Sequence, residues 1–315
     1  MKKMTNRINV EGRVFSHSLA KKTVQDTNSA NYGKEFINGT LEIAVDEEGL
    51  NVVPVHFTYV TELTKKGETN LTYTNLDRII NENNLWSVVG KDAAQKVKID
   101  TSIAVNDFYN QENILVTTKV IEGGFVSFVT EFGQEDKRSF FNEDMFITSV
   151  RLVEKNEEKN INEDYLVVGG AIFNFRGDLL PVDFVVRNAA GMKYFEGLEA
   201  TNANPVFTKV WGSVVCKTIV TTTEEESAFG EPQVRTYERK TKEYVITGSS
   251  REIYDFGDEE VLTAEDVKKA MADRELMLAD NKKRSEEYRA RKAAGQIAAP
   301  VAAAPKAAPA GNFVF

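Results

Sequence analysis

The chain has 315 residues, enough for two ordinary domains or one large one, and its 42% apolar content is too high for a disordered chain. Its 39 basic and 48 acidic side chains leave a net charge of −9, which argues against coating nucleic acid by bulk positive charge but leaves room for a local basic face. Cys216 is the single cysteine, so an intrachain disulfide and a cysteine-based zinc cluster are excluded and a reducing compartment is the simple inference.

Strand signals dominate the first 250 residues. Ile8 to Phe15 reads as a strand with Gly12 inside it. Phe36 to Val45 alternates, with Ile37, Leu41, Ile43 and Val45 on one side and Thr40 and Glu42 on the other. Asp46-Glu47-Glu48-Gly49 is a turn, and Leu50 to Val60 is the returning strand. A helix follows, with Thr74 or Asn75 at its N-cap and Leu76, Ile79 and Ile80 as its apolar stripe. Val97 to Val105 is a strand, and Ile114 to Phe132 holds a hairpin around Glu122-Gly123-Gly124.

The same order then recurs. Phe146 to Val153 is a strand, Tyr165 to Phe175 and Leu179 to Val186 form a hairpin around Arg176-Gly177-Asp178, and Ala189 to Leu198 is helical. Phe207 to Val220 and Arg235 to Ile246 close the series. Pro54-Val55-His56-Phe57 matches Pro181-Val182-Asp183-Phe184, each after a glycine (Gly39, Gly170), which points to a tandem duplication. Beyond Gly248, Glu252 to Glu260 is acidic, and Thr263-Ala264-Glu265-Asp266 is a capped helix start. Val267, Met271 and Leu278 give that helix a thin stripe, so it packs at its beginning and runs into solvent at its end. The expected division is 1–138 and 139–250 for two domains, 251–292 for the acidic segment and helix, and 293–315 for an Ala/Pro-rich tail.

No enzyme is expected. The histidines are His17 and His56, neither near a nucleophile motif; there is no P-loop, and Gly169-Gly170 lacks the next glycine of a dinucleotide fingerprint. Asp46-Glu47-Glu48 reads as a solvated hairpin tip rather than a cation site. No catalytic residue, metal or cofactor is expected. No apolar run approaches the ~18–20 residues of a membrane span, and the basic start at Met1 to Arg7 has no apolar stretch behind it, so a cytoplasmic protein without a signal peptide is expected.

Three strands, a helix and two strands is the order of the OB-fold, a five-stranded Greek-key barrel. The expected fold is therefore mainly β: two tandem OB-fold-like five-stranded barrels, a C-terminal helix and a disordered Ala/Pro tail. Asn6-Arg7-Ile8-Asn9-Val10-Glu11-Gly12-Arg13-Val14 followed by Gly39-Thr40-Leu41-Glu42-Ile43-Ala44-Val45-Asp46 resembles the opening of single-stranded-DNA-binding proteins, here of phage type. The resemblance covers roughly the first 60 residues. It implies non-catalytic binding and protection of single-stranded DNA in replication or recombination. The family's bacterial tail ends in an acidic run leading to Pro-Phe, whereas here the acids lie upstream and the end is apolar.

Candidate contacts follow. Lys209, Trp211 and Lys217 share the outward parity of one strand, and Arg235, Tyr237 and Arg239 that of the next; an aromatic between cations suits stacking on a base with phosphates alongside. Covering a second layer or a domain interface is the competing role for both rings. In the first half, Arg7 and Arg13 flank the first strand, Lys96 and Lys98 point away from Val97 and Ile99, and Lys34 precedes the second strand. Tyr59 and Trp86 are stacking candidates, with the core as their alternative place. Phe313 and Phe315 end a tether suited to a replication or recombination protein partner, and an oligomer is compatible with the chain. The rival function is a virion structural or assembly protein whose β-domains make protein contacts.

Overall fold

Alternating apolar residues make the strands, and the register between strands closes them into barrels. The computed structural model describes residues 4–157, 161–225, 233–254 and 263–294. In the first half the elements are β1 (Asn6–His17), β2 (Ala20–Thr23), β3 (Glu35–Ala44), β4 (Val52–Thr61), α1 (Leu71–Glu82), α2 (Trp86–Val89), β5 (Lys96–Tyr109) and β6 (Leu115–Phe128). β1 pairs antiparallel with β3 and β5, β3 with β4, and β5 with β6, while β4 meets β6 in parallel at His56 and Glu122. That circuit is a closed five-stranded OB barrel with its helices between the third and fourth strands. Ile8, Val10, Ile37, Leu41, Ile43, Val53, Val55, Phe57, Val97, Ile99 and Ile121 fill it, and Leu76 and Ile79 of α1 plug its end.

The second half repeats the circuit. Its elements are β7 (Ser139–Val153), β8 (Tyr165–Phe173), β9 (Leu179–Val186), α3 (Ala189–Glu196), β10 (Val206–Glu225) and β11 (Gln233–Ile253), followed by α4 (Ala264–Ala293). β7 pairs with β8 and β10, β8 with β9, β10 with β11, and β9 meets β11 in parallel at Val185 and Val245. The tandem OB architecture and the C-terminal helix are thus as expected from the sequence. The barrels fuse through an antiparallel ladder between their first strands, Asn6–Val10 of β1 against Ser139–Glu143 of β7.

Several local expectations change. Gly123-Gly124 is not a hairpin turn: β6 runs through it, and the pair forms a bulge opposite Thr101, with φ of 69° and 110°. A bulge and a turn both need positive φ, so glycine alone does not separate them. The turn between β5 and β6 lies at 110–114, where the Asn110 side chain accepts from the amides of Glu112 and Ile114. α1 starts earlier than Thr74, capped by Asn70, whose side chain accepts from the Thr72 amide at 3.1 Å. β10 and β11 also run on well past the expected ends, forming a ribbon whose last pair is Glu225 with Gln233. The ladder from Cys216 to Glu225 extends about 30 Å at strand rise.

α4 has the expected capping box, Thr263 with Asp266. Val267 and Ala270 pack on Phe173 and Phe207 of the second barrel. Beyond these first turns it does not run free into solvent. Arg274 pairs with Asp107 of β5 at 2.9 Å, and Arg289 donates to the carbonyls of Tyr109 and Asn110. Apolar periodicity misses this because polar groups make the contact. The helix therefore bridges both barrels. The acidic run from Asp255 onward and the tail, with Phe313 and Phe315, lie outside the described residues.

The Arg274–Asp107 pair is nearly dry, with side chains 12% and 4% exposed. Arg274→Met should cost roughly 3 kcal/mol by leaving Asp107 buried without its cation, and adding Asp107→Leu should recover much of that loss. Urea unfolding of the two variants reads this; equal stability of parent and Arg274→Met would remove α4 as a brace.

Candidate nucleic-acid interface

Four strands, β5, β1, β7 and β10, run side by side across both barrels, and cross-strand partners share a face. The outer face of this sheet collects six of the sequence-predicted residues: Lys96 and Lys98 on β5, Arg7 and Arg13 on β1, and Lys209 and Trp211 on β10. Most of these groups are already engaged. Arg7 pairs with Asp100 at 2.8 Å, and Lys209 lies 3.7 Å from Asp144. The Trp211 indole lies against Gly248, where a Cβ would come within 2.4 Å of the ring nitrogen. Lys98 is half-buried opposite Glu11.

Arg13, Trp86 and Lys96 meet at one corner. The linker after β6 lays Phe132 over this face, and the ring is approached by Arg13 at 5.1 Å, Lys96 at 5.4 Å and Arg138 at 4.7 Å. Glu47, in the turn between β3 and β4, binds Arg138, Lys91 and Arg13, which hold its carboxyl at about 2. Trp86 stands beside it, 5.9 Å from the Lys91 ammonium and 6.0 Å from the Phe15 ring.

A second face lies on β3 and β4, the second and third strands of the first barrel. Three residues of β3 (Ile37 to Gly39) oppose four of β4 (Phe57 to Val60), so β4 bulges at Thr58-Tyr59. Strict alternation from Phe57 would turn Tyr59 inward. The bulge turns it out instead, 45% exposed, and returns Val60 to the core. Its ring packs on Phe36 with centroids 4.6 Å apart and planes tilted by 41°. Lys22 of β2 is the cross-strand partner of Phe36, and its ammonium donates to Asn38 at 2.9 Å. Lys34 is exposed in the preceding loop, held by Asn31 at 3.0 Å. Sequence reasoning named Tyr59 and Lys34 but missed Phe36, Asn38 and Lys22. The edge strand β2 was the missing signal: four exposed residues give no alternation to detect.

The matching face of β8 and β9 carries Val167, Gly169, Asp183 and Val185. The cation–ring pair of Arg187 on Tyr165 beside it is tied to Glu163 and Glu243. Each repeated motif meets a lysine of the other barrel across the seam: Asp183 of the second barrel pairs with Lys119 of the first, while His56 of the first feels Lys242 of the second. Lys242 also donates to the Lys119 carbonyl at 2.6 Å.

On the ribbon, Lys217 faces Thr241, Ile219 faces Arg239, Thr221 faces Tyr237 and Thr223 faces Arg235. The side chains of Lys217, Arg235, Tyr237 and Arg239 lie outside the described residues. Among the described residues, no cluster of three or more His, Cys, Asp or Glu could hold a metal ion, and no helix is long and apolar enough to cross a membrane.

The sequence model of the YorF family matches residues 4–284, and the chain belongs to that family. No curated protein matches the chain. Among solved structures, a deletion mutant of the single-stranded DNA binding protein from Thermus aquaticus superimposes with a TM-score of 0.45 at 10% identity, covering 82% of this chain and 100% of its own. The wild-type protein gives 0.43 at 9% identity, with 80% and 95% covered. A Replication Protein A heterotrimer bound to ssDNA gives 0.21 at 10% identity, with 90% and 70% covered. At these TM-scores the fold assignment rests on the strand pairings.

Burial, and then the Lys242 charge, hold the His56 imidazole below its usual 6.5, against an upward pull from Glu122. The unfolded chain therefore takes up this proton more readily than the folded one. Stability from this residue is intact above about pH 6.5 and falls as the solution is acidified. His56→Gln, which carries no titrating group, should remove this residue's share of that decline. Urea unfolding on both sides of about pH 6.5 checks it; an unchanged pH slope would contradict the assignment.

Proposed function

We propose that this YorF-family chain binds single-stranded DNA without strong sequence preference, holding and protecting the strand during replication or recombination with no bond broken. The observation that carries the reading is the Phe36–Tyr59 ring pair on β3 and β4, half-buried at Phe36 and exposed at Tyr59, with Lys22 as its neighbour. OB-folds use the face of their second and third strands for oligonucleotides and oligosaccharides. Function resides in the site rather than the fold, and this site combines a solvent-exposed tyrosine paired with a phenylalanine and nearby lysines. Rings stack on bases of any sequence, and lysines meet phosphates, so the combination favours a nucleic acid over a neutral sugar.

The two barrels have different roles in this reading. The first binds, because its face offers rings and lysines. The second braces, because its matching face offers small and apolar residues and Asp183, which is committed to Lys119. Lys34 extends the binding face at its loop side. Arg7, Lys98, Lys209 and Trp211 form a secondary surface on the sheet shared by the barrels, weaker because its three cations already lie beside Asp100, Glu11 and Asp144.

Fluorescence polarisation with labelled oligo-dT tests this. Binding should weaken steeply with salt. Tyr59→Ala and Phe36→Ala should each cost about tenfold in affinity, within the 1–3 kcal/mol of a base stack. Lys22→Ala should lower the log–log salt slope by about 0.7. No binding at low salt, or parent-like affinity in Tyr59→Ala, would sink the proposal.

A further inference from the structure

Three cations from separate segments converge on the Glu47 carboxylate. Arg138 comes from the linker between barrels at 2.8 Å, Lys91 from the loop after α2 at 3.0 Å, and Arg13 from β1 at 3.2 Å. The carboxylate is 39% exposed, while the Arg13 and Arg138 side chains beneath it are 12% and 13% exposed. Lys96 adds a fourth cation around the shared Phe132 ring. The Arg13 Nε is buried without an acceptor. The neighbouring Asp46 accepts from the Asn51 amide at 2.8 Å through one carboxylate oxygen.

This is more positive charge than one carboxylate answers. Guanidiniums held in place by packing, with donors to spare, match the several acceptor oxygens of a phosphate better than the two of a carboxylate. Glu47 reaches solvent, so a side-chain rotation is enough to uncover the donors, with no change of backbone. Trp86 then stands at the rim, beside Lys91.

We propose that the Glu47 position is a phosphate subsite filled by the chain's own carboxylate, and that a phosphate of a bound strand displaces it. The strand as the source of that phosphate rests on the function proposed above; the subsite itself does not. Glu47 then acts as an internal counterion that keeps four cations together when no ligand is present.

Thermal unfolding of Glu47→Ala and the isosteric Glu47→Gln, in sodium phosphate and in sodium chloride of equal ionic strength, tests the subsite. In chloride the variants should melt several degrees below the parent. Phosphate should restore at least half of that loss while leaving the parent nearly unmoved. Adding Lys91→Gln should abolish the restoration. A loss that phosphate repairs no better than chloride would overturn the subsite and leave Glu47 a structural clasp. For the source, Glu47→Gln should bind labelled oligo-dT several-fold more tightly than the parent, with a log–log salt slope steeper by about 0.7. Phosphate restoration with unchanged oligo-dT affinity would assign the subsite to free phosphate and overturn the strand as its ligand. Failure of the parent to bind oligo-dT would sink the proposed function, while the phosphate response of the variants still decides the subsite.

Discussion

A β-strand has two hydrogen-bonding edges, and β1 must serve three neighbours. It does so by dividing one edge along its length. Residues Asn6–Val10 pair with β7, and Arg13–His17 pair with β3, while the other edge is given to β5. β7 divides its edge in the same way, between β1 at Ser139–Glu143 and β8 from Phe146 onward. This shared ladder satisfies backbone groups that two separate barrels would leave at open edges. It also fixes the relation between the barrels, and every contact across the seam follows from it.

One consequence is a roughly twofold relation between unequal halves. The fifth strand of each barrel sends a lysine to the third strand of the other: Lys119 to Asp183, and Lys242 toward His56. Equivalent positions have diverged in charge, which makes one side of the seam an ion pair and the other a place where protonation is disfavoured. The same ladder buries Glu143, where burial drives the carboxyl well above the ordinary range and the neighbouring Asp144 adds to the push, against a pull from the Arg7 backbone amide. A buried carboxyl of this kind contributes most in acid, opposite to the effect of His56. The two faces on the second and third strands have diverged as well, one aromatic and basic, the other apolar and acidic.

The net charge of −9 describes none of these surfaces. Basic groups are concentrated where they hold the molecule together: on Phe132 and Glu47, on Asp107, and at the carbonyls that cap the β5–β6 turn. Cations counted in a sequence as potential phosphate contacts are, in the fold, often already at work on an acid or a ring. The cations bearing on the proposed strand site are those beside the Phe36–Tyr59 pair, such as Lys22.

The identity and order of the barrel strands, though not of the edge strand β2, were legible in the sequence, because alternation and turn chemistry are local properties: Ile37, Leu41 and Ile43 report their own strand whatever it pairs with. The repeat was legible too, since Pro54–Phe57 and Pro181–Phe184 lie at matching positions of the third strand of each barrel, with Val55, Phe57, Val182 and Phe184 inward. Register was not legible. A bulge at Thr58-Tyr59 reverses the facing of Tyr59, and a bulge at Gly123-Gly124 carries a strand through what reads as a turn; both depend on a partner strand far away in the chain. The sequence by itself determined the two five-stranded circuits, their helices and the absence of known nucleophile and nucleotide motifs. Tertiary structure alone decided which outward residues became neighbours. Charges and rings from distant segments are brought together by backbone hydrogen bonds, whose register no single segment encodes.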